Sequence, residues 1–289
     1  MKICLRCHFP FEAATWNCPK CGFVPRKHEG FLSLFPNKPK SDQGFKAEFF
    51  GQLDQYEKGN FWFENRNQLI VFVLKKYFCQ AQSLLEIGCG TGFVLEAVKS
   101  AVPCLKVYGS DLSIDALLIA SRKNRDIDYY QMNCEIIPMD EEFDLITAFD
   151  VLEHIKLDAV VLAEMFRAVK RGGGIIITVP QHPFLWSYND TVSCHVRRYT
   201  PKALKIKVEA AGFSIVQTTS FVTFLFPLMI ISRFLQKADS KNYDPMMEFK
   251  ISNKINLLFK AILAFEHKLL HRGLTFPFGG SLLLAAKKA

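Results

Sequence analysis

The sequence predicts an α/β fold with a doubly wound, mostly parallel sheet and helices on both faces of the sheet. Short apolar runs alternate with helical patterns between residues 83 and 219. A glycine-rich loop follows the first of these runs, and an acidic residue follows the second. Strands that alternate with helices are parallel and are joined by crossover connections. The expected architecture is therefore Rossmann-like, with a small N-terminal module and a helical C-terminal tail.

The elements of this core are predicted from the change between helical and strand periodicity. Strands are expected at residues 83–87, 106–110, 128–132, 143–148, 174–179 and 213–219. Helices are expected at residues 93–101, 114–124, 157–169 and 201–211. Ahead of them, residues 45–78 contain the run FWFENR, from Phe61 to Arg66, and an apolar stripe that predicts a helix packed on the sheet.

The N-terminal module carries two cysteine pairs with ten residues between them. The pairs are Cys4 with Cys7 and Cys18 with Cys21. Each pair fits a tight turn, and four thiolates can form a tetrahedral site, so we predict a structural zinc ribbon. The alternative is four free cysteines in a tail without structure. The predicted organisation is a ribbon at 1–35, a linker at 36–44, the α/β domain at 45–220 and a helical region at 221–289 that completes or covers it.

The C-terminal region is apolar and basic. Its apolar run at 221–231 is shorter than the roughly 20 residues that a membrane-spanning helix needs. Beyond this run, apolar residues recur at helical spacing between lysines, at Ile251, Ile255, Leu258, Ile262, Phe265 and Leu269. Such an amphipathic helix either lies on an anionic membrane or covers the apolar run within the core.

The charge of the chain is unevenly distributed. The formal net charge is +8, but residues 195–289 carry +10 and residues 1–194 carry −2. This excess suits an anionic membrane, a phosphorylated carrier or RNA, or it is a solvated surface. The scattered cysteines and the N-terminus without an apolar leader favour a cytoplasmic protein, with peripheral contact to the inner membrane surface as a further expectation.

Three segments are expected to meet at one edge of the sheet. The loop LEIGCGTG, at 85–92, has glycines at alternate positions, which let a ligand approach the main chain. Asp111 lies nineteen residues beyond Gly92 and can accept hydrogen bonds from ribose hydroxyls, although it could instead cap the next helix. Asp150, Glu153 and His154 follow a later strand, and ligands bind in open α/β sheets at the carboxyl ends of the strands.

At these segments the sequence resembles the class I S-adenosylmethionine-dependent methyltransferases over about residues 83–179. The resemblance implies S-adenosylmethionine as cofactor, with the glycine loop on its methionine side, Asp111 on the ribose, Leu112 beside the adenine and Asn133 with Cys134 at the adenine edge. The implied cofactor contacts are Glu86, Gly88, Cys89, Gly90, Thr91, Gly92, Asp111, Leu112, Asn133, Cys134, Phe149 and Asp150. The chain departs from the family at Asn133, where the family often has an acid.

Other segments are similar to narrower groups of methyltransferases. Residues 151–154, VLEH, resemble the ubiquinone-biosynthesis O-methyltransferases. The triplet FWF at 61–63 and the run HVRRY at 195–199 are similar to uncharacterised bacterial methyltransferases. These likenesses indicate a subgroup but name no acceptor.

Histidine and arginine side chains are the candidates for the acceptor chemistry. His154, His182 and His195 are potential general bases, because imidazole titrates near neutral pH, or they hold loops through hydrogen bonds. Arg197, Arg198 and Tyr199 are expected to bind the acceptor, since a guanidinium pair suits a carboxylate or a phosphate.

The leading hypothesis is a methyltransferase that acts on oxygen or nitrogen of a small-molecule or lipid-linked acceptor, by in-line displacement and near a membrane. The first alternative is an RNA methyltransferase in which the ribbon recognises nucleic acid. The basic residues lie in the tail rather than on the ribbon, which makes nucleic acid the weaker expectation. The second alternative is a scaffold that binds the cofactor without catalysis.

Overall fold

The computed structural model describes residues 1–35, 47–235 and 245–289 of the chain. The predicted linker at 36–44 lies outside these residues. The strands are β1 (Lys2–Ile3), β2 (Pro10–Phe11), β3 (Lys27–His28), β4 (Phe31–Ser33), β5 (Ser83–Ile87), β6 (Lys106–Asp111), β7 (Asp128–Gln131), β8 (Phe143–Phe149), β9 (Val169–Pro180), β10 (Ser214–Phe221) and β11 (Ser281–Lys287).

The α-helices of the described residues lie between and beyond these strands. They are α1 (Ala47–Glu57), α2 (Phe61–Tyr77), α3 (Phe93–Ala101), α4 (Ile114–Lys123), α5 (Asp158–Ala168), α6 (Tyr188–Val192), α7 (Pro201–Ala210), α8 (Phe226–Leu235) and α9 (Asn253–His271). Short 3-10 turns occur at Leu152–His154, Pro183–Leu185 and Pro245–Phe249. None of the described helices has both the length and the hydrophobicity needed to cross a bilayer.

The main sheet confirms the predicted doubly wound α/β fold. Within the described ranges its strand order is β10-β11-β9-β8-β5-β6-β7-β4-β3. Strands β4 to β9 pair in parallel, whereas β11 is antiparallel to both of its neighbours. The strand order reverses between β5 and β8. That reversal leaves a crevice at the carboxyl ends of the strands, which is where ligands bind in such sheets.

Buried apolar side chains cover both faces of the sheet. On β5, Leu85 and Ile87 join the cluster that contains α5 and α7, whereas Leu84 joins the cluster beneath α2, α3 and α9. Successive strand residues point to opposite faces, so a strand covered on both sides is apolar throughout. The sheet is therefore a rigid central layer, and the loops at its carboxyl edge can be positioned precisely.

The N-terminal segment is built into this sheet. Strand β4 pairs in parallel with β7, with Leu32 opposite Tyr130, and β3 forms the outer edge. The Ile3 amide also donates to the Pro138 carbonyl at 2.8 Å. Trp16 is buried and its ring meets the ring of Tyr130 edge-on at 6.4 Å. The cysteine-bearing segment therefore supports the strand that leads to residues 132–135.

The last strand differs from the helical tail that the sequence predicts. Residues Ser281–Lys287 form β11, which inserts between β9 and β10 and is buried along nearly its whole length. Their leucines and alanines favour helices, and a strand buried on both faces shows no alternation of apolar and polar residues. Local sequence therefore carried little sign of this strand.

Candidate functional site

A cavity of about 1540 Å³ opens at the carboxyl ends of β5, β6 and β8. We call one part of its wall the glycine half, which comprises Glu86, residues 88–91, Arg66, Asp111, Leu112, residues 132–135, Phe149 and Asp150. We call the other part the histidine half, which comprises Glu153, His154, Asn189, residues 193–196 and Arg198. The two halves meet at the point where the strand order reverses.

The glycine loop depends on backbone conformations and space that other residues lack. Gly88 has a φ of +65°, and a Cβ atom there would lie 2.5 Å from a methyl carbon of Val151. Gly92 has a φ of +75° at the start of α3, and a Cβ atom would lie 2.9 Å from the Cβ of Ala120. The glycine at 88 keeps the main chain bare where it borders the cavity, whereas Gly92 does not line it.

Asp111 ends β6 and is held by the main chain on both sides. Its Oδ2 accepts from the Gly90 amide at 2.9 Å, and its Oδ1 accepts from the Ser113 amide at 2.8 Å. Burial raises the pKa of this carboxyl, although the backbone N–H groups oppose that effect. A carboxylate offers about four acceptor positions, so the main-chain donors do not exhaust those of Asp111.

Glu86 provides an unpartnered carboxylate oxygen on the cavity wall. The residue is 2% exposed, and its Oε2 has no hydrogen-bond partner. Burial raises its pKa well above the usual range, while the charge of Arg66 acts in the opposite direction. Arg66 donates to Asp150 Oδ2 at 2.6 Å, and its guanidinium lies 4.8 Å from the Trp62 ring centroid. A positive ligand group beside Glu86 would satisfy the buried oxygen.

The remaining predicted cofactor residues of the glycine half also line the cavity. They are Cys89, Gly90, Thr91, Leu112, Asn133, Cys134, Phe149 and Asp150. The Thr91 hydroxyl donates to Glu57 Oε1 at 2.6 Å, and Lys123 Nζ donates to Glu57 Oε2 at 3.2 Å. This contact ties the glycine loop to α1 and α4.

A network around Asp190 organises the histidine half. Nδ1 of His195 lies 2.8 Å from Asp190 Oδ1, and Arg198 donates to both carboxylate oxygens at 2.8 and 3.0 Å. Burial alone would raise the pKa of Asp190, but the hydrogen bonds from His195 and Arg198 outweigh it and lower that pKa. Asp190 is therefore ionised and fixes both side chains.

Glu153 and His154 face this network. Glu153 is 1% exposed, its Oε2 has no hydrogen-bond partner, and burial raises its pKa well above the usual range. Burial, with a smaller effect of His195, lowers the pKa of His154 to about 3, so its ring is neutral. One donor atom each from Glu153, His154 and His195 lie within 4.8 Å of one another. This oxygen and nitrogen donor set could hold a divalent cation.

Not all predicted acceptor residues reach the cavity. Arg198 lines it, but Arg197 pairs with Asp158 and donates to the Lys156 carbonyl at 2.8 Å. Tyr199 is 2% exposed, and its hydroxyl donates to Asp158 Oδ2 at 2.6 Å. These two residues anchor the chain beside the cavity rather than line it.

His182 is also separate from the other histidines. It does not line the cavity, and its ring lies 5.1 Å from the rings of both Phe184 and Phe226. Burial and the charge of Arg198 lower its pKa. The structure thus brings together His154 and His195, whose ring centroids are 4.7 Å apart, but not His182.

Sequence reasoning missed Arg66, Glu57 and Asp190. One feature of the sequence could have indicated Arg66. It lies with Asn65 and Asn67 in a polar run of α2, and these three residues are buried where apolar residues would be expected. Asp190 lies three residues after Ser187 in a capping box, and that pattern indicates the start of a helix. Nothing in the local sequence distinguishes this cap from a residue of a binding site.

One wall of the cavity, which we call its mouth because it includes the exposed Leu228, Met247 and Ile255, is formed by the C-terminal region and is mostly apolar, although Ser232 and Arg233 of α8 also line it. Residues from α8, from the 3-10 turn at Pro245–Phe249 and from α9 line it, namely Leu228, Met229, Met246, Met247, Phe249, Ile255 and Phe259. The entrance therefore favours a ligand with an apolar part.

The four N-terminal cysteines converge on a separate point. Cys4 Sγ lies 3.6 Å from Cys21 Sγ, Cys7 Sγ lies 3.7 Å from Cys18 Sγ, and all four sulfur atoms lie within 4.8 Å of one another. Tetrahedral zinc with Zn–S bonds of about 2.3 Å requires sulfur atoms about 3.8 Å apart. The arrangement fits a zinc ion bound by four thiolates.

Comparison with known proteins points to one enzyme family. A family model described as a methyltransferase domain matches residues 47–218. The mitochondrial ubiquinone biosynthesis O-methyltransferase of Candida albicans is 32% identical over 127 residues, which are 41% of this chain and 39% of that protein. The demethylmenaquinone methyltransferase of Lactococcus lactis is 30% identical over 126 residues, which are 41% of this chain and 50% of that protein. The chain thus spans half or less of these relatives.

A solved structure shows the same fold. Phosphoethanolamine N-methyltransferase 2 of Haemonchus contortus, in complex with S-adenosyl-L-methionine, has a TM-score of 0.56 at 20% sequence identity. The match covers 84% of this chain and 57% of that one. The sequence resemblance over residues 83–179 is confirmed at the level of family and fold.

Proposed function

The chain belongs to the methyltransferase domain family, and from that premise we propose that it transfers a methyl group from S-adenosylmethionine to a small-molecule or lipid-linked acceptor. The observation that carries the proposal is the unpartnered, buried Oε2 of Glu86 beside the bare backbone of Gly88. That oxygen suits the ammonium group of the cofactor. The acceptor capacity that remains on Asp111 suits the ribose hydroxyls.

The other residues of the glycine half would complete this cofactor site. Arg66 lines the same cavity as Glu86, and its charge acts on that carboxyl, so it supplies a positive charge for a ligand carboxylate. Leu112, Asn133 and Cys134 border the cavity beyond Asp111, in positions that suit the adenine. The donor set is thus charged where the methionine part would lie and mostly apolar where the base would lie.

S-adenosylmethionine supplies a methyl group on a positively charged sulfur, from which it is transferred by in-line displacement. Alignment of the acceptor atom therefore contributes much of the rate. An oxygen or nitrogen acceptor that carries a proton also needs a base. In this proposal His195 is that base. Asp190 accepts a hydrogen bond from Nδ1–H, which leaves Nε2 to take the proton, while Arg198 favours an anionic acceptor.

The proposed class of acceptor is inferred from the mostly apolar mouth of the cavity. One relative is named for ubiquinone biosynthesis and another as a demethylmenaquinone methyltransferase, and an acceptor with an apolar portion fits the mostly apolar mouth of this cavity. We therefore propose an amphiphilic acceptor, a cytoplasmic enzyme and peripheral association with an anionic membrane. The proposal also assigns structural zinc to Cys4, Cys7, Cys18 and Cys21, because the sulfur spacing matches a tetrahedral site.

The decisive experiment supplies methyl-tritiated cofactor and pure protein to fractionated cell extract. Label in the lipid or small-metabolite fraction supports the proposal, and label in RNA assigns the chain to the alternative reaction. Calorimetry with S-adenosylhomocysteine measures cofactor binding separately. Binding without transfer to any fraction would indicate a scaffold, and absence of binding by the folded protein would refute the cofactor site.

A further inference from the structure

The solvent-facing side of α9 is unusually apolar. Leu257, Leu258 and Phe265 are 65%, 58% and 54% exposed. At 100° per residue these three side chains fall within an arc of about 100° on the helix. The buried side of the same helix contains Glu266, which is completely buried, and His267, which is 7% exposed. The helix thus exposes part of its apolar stripe and buries polar residues.

Those buried polar groups fix the helix in this orientation. Glu266 Oε2 accepts from the amides of Thr223 and Phe224 at 2.7 and 3.1 Å, in the segment that leads into α8. The rings of Phe224 and Phe265 lie 5.6 Å apart. Helix α8 continues the exposed patch, because Leu228 and Ile231 are 51% and 54% exposed. We call these exposed parts of 224–231 and of α9 the C-terminal surface.

Cations flank the apolar part of this surface at both ends. On α9, Lys254 precedes the exposed leucines and Lys268 follows Phe265 on the same side, and the exposed Arg272 comes directly after the helix. Among the residues that the structure describes, no carboxylate lies within ion-pair distance of these three cations. Lysine and arginine have long stems that can lie along lipid while their charges reach anionic headgroups. A helix that is apolar in the middle and basic at both ends suits a bilayer interface.

The cavity mouth opens between Leu228 and Ile255 of the C-terminal surface and the neighbouring Met247. Leu228, Met247 and Ile255 line the cavity and are also 51%, 61% and 45% exposed. A bilayer against this surface would cover the mouth with lipid rather than water.

We propose that the C-terminal surface docks on an anionic bilayer and that an acceptor enters the cavity directly from the lipid phase. The docking proposal is inferred from the exposed surface alone, whereas the proposed entry route of the acceptor rests on the proposed function. A second copy of the chain is a poorer occupant, because a two-fold pairing of this surface would bring its cations together. The membrane is favoured because its charge is complementary.

Vesicle sedimentation tests the docking without any catalytic readout. The protein is expected to bind vesicles of equal parts phosphatidylglycerol and phosphatidylcholine at least about tenfold more tightly than vesicles of phosphatidylcholine alone, and added salt should weaken this binding. Leu257→Ser with Leu258→Ser, and Lys268→Glu with Arg272→Glu, should each reduce it by about tenfold or more.

Matched controls come from the opposite side of the molecule. Leu157 and Ile206 are 59% and 55% exposed, and Lys202 is exposed on α7. Leu157→Ser with Ile206→Ser, and Lys202→Glu with Lys205→Glu, should leave vesicle binding unchanged. Calorimetry with S-adenosylhomocysteine checks that every variant keeps its cofactor site, so failure of the cofactor site and failure of docking are separate results.

Three outcomes would overturn the docking proposal. One is equal binding to the two vesicle types, and another is equal loss of binding in the surface and control variants. The third is a dimer in solution that Leu257→Ser with Leu258→Ser dissociates, which would make the surface an interface between copies. The protein could bind vesicles as expected and yet methylate an acceptor in vesicles no faster than the same acceptor in detergent micelles. That result would show that the entry route is wrong.

Discussion

The glycine half and the histidine half of the cavity are shaped by different kinds of interaction. In the glycine half, Gly88 has no side chain and Asp111 is held by the main-chain amides of Gly90 and Ser113. In the histidine half, the ionised side chain of Asp190 holds His195 and Arg198. Space and backbone conformation therefore govern the glycine half, whereas side-chain protonation and charge govern the histidine half.

The largest effect is expected where the glycine half has no room. Gly88→Val should weaken cofactor binding by about 100-fold or more, because the new side chain meets Val151 and a φ of +65° strains any L-residue. Calorimetry with S-adenosylhomocysteine measures this loss. Gly172 has a φ of +77° and open space around it, so Gly172→Val separates strain from filling of the site. Unchanged affinity of Gly88→Val for S-adenosylhomocysteine would contradict the claim that space at Gly88 governs the glycine half.

The next effect is expected in the histidine half and should spare cofactor binding. Asp190→Asn removes the charge that orients His195, and we expect the transfer rate to fall about 10²-fold, the low end of the range for general bases. The pH profile of the rate should also change, while the affinity for S-adenosylhomocysteine should not.

Asp158→Asn is the matched control for this charge. Asp158 is also buried and paired with Arg197 and Lys207, but it does not line the cavity. Its variant should lose stability without a change in the pH profile. The same profile change in both variants would mean that Asp190 acts through folding rather than through His195.

A smaller effect on cofactor affinity is expected from a change in the N-terminal segment, which supports the glycine half. Cys18→Ser should lower zinc content from one ion per chain and weaken cofactor binding by a few fold, because β4 pairs with β7 and β7 leads to Asn133 and Cys134. Zinc content by metal analysis and cofactor affinity by calorimetry test this. Cys104→Ser changes an exposed cysteine and should alter neither. Full zinc content in Cys18→Ser would remove Cys18 from the site.

The smallest expected effect is a pH dependence of stability that originates in the histidine half. The folded-state pKa of His154 is about 3 against 6.5 for an unperturbed histidine, so only the unfolded chain binds a proton between these values. His154 therefore contributes a loss of stability as the pH falls, about 1 kcal/mol between roughly pH 6.5 and 5.5, alongside His267, whose pKa burial also lowers. In urea unfolding, His154→Gln should reduce the slope of stability against pH by that amount. His28→Gln, at an exposed position, should not.

Prediction from sequence succeeded where local periodicity and motif coincide. The first core strand and the helix after the glycine loop were predicted at 83–87 and 93–101, and they occur at Ser83–Ile87 and Phe93–Ala101. Strand β9 begins earlier than predicted, at Val169, because its pairing with β8 continues past an irregularity. The residues between Val169 and Gly174 are charged or glycine, so the sequence did not indicate this extension. Charged and glycine residues give no strand signal of their own.

The parts that escaped prediction depend on partners distant in sequence. Arg66 meets Asp150 across 84 residues of chain. Strand β4 belongs to the main sheet only because β7 is its neighbour. Asp190 has the local pattern of a helix cap, and its pairing with Arg198 appears only in three dimensions. A motif identifies the glycine half, whereas the histidine half is assembled by loops without a fixed spacing.

The position of β11 also has consequences for biosynthesis. It lies between β9 and β10, yet it begins only at Ser281, after α8 and α9. A growing chain that has not reached β11 leaves β9 with an open edge and β10 without its neighbour, since strand pairing across the gap is absent. The exposed apolar side of α9 emerges from the ribosome during this interval. We therefore expect a chain that ends before Ser281 to aggregate more readily than the full chain.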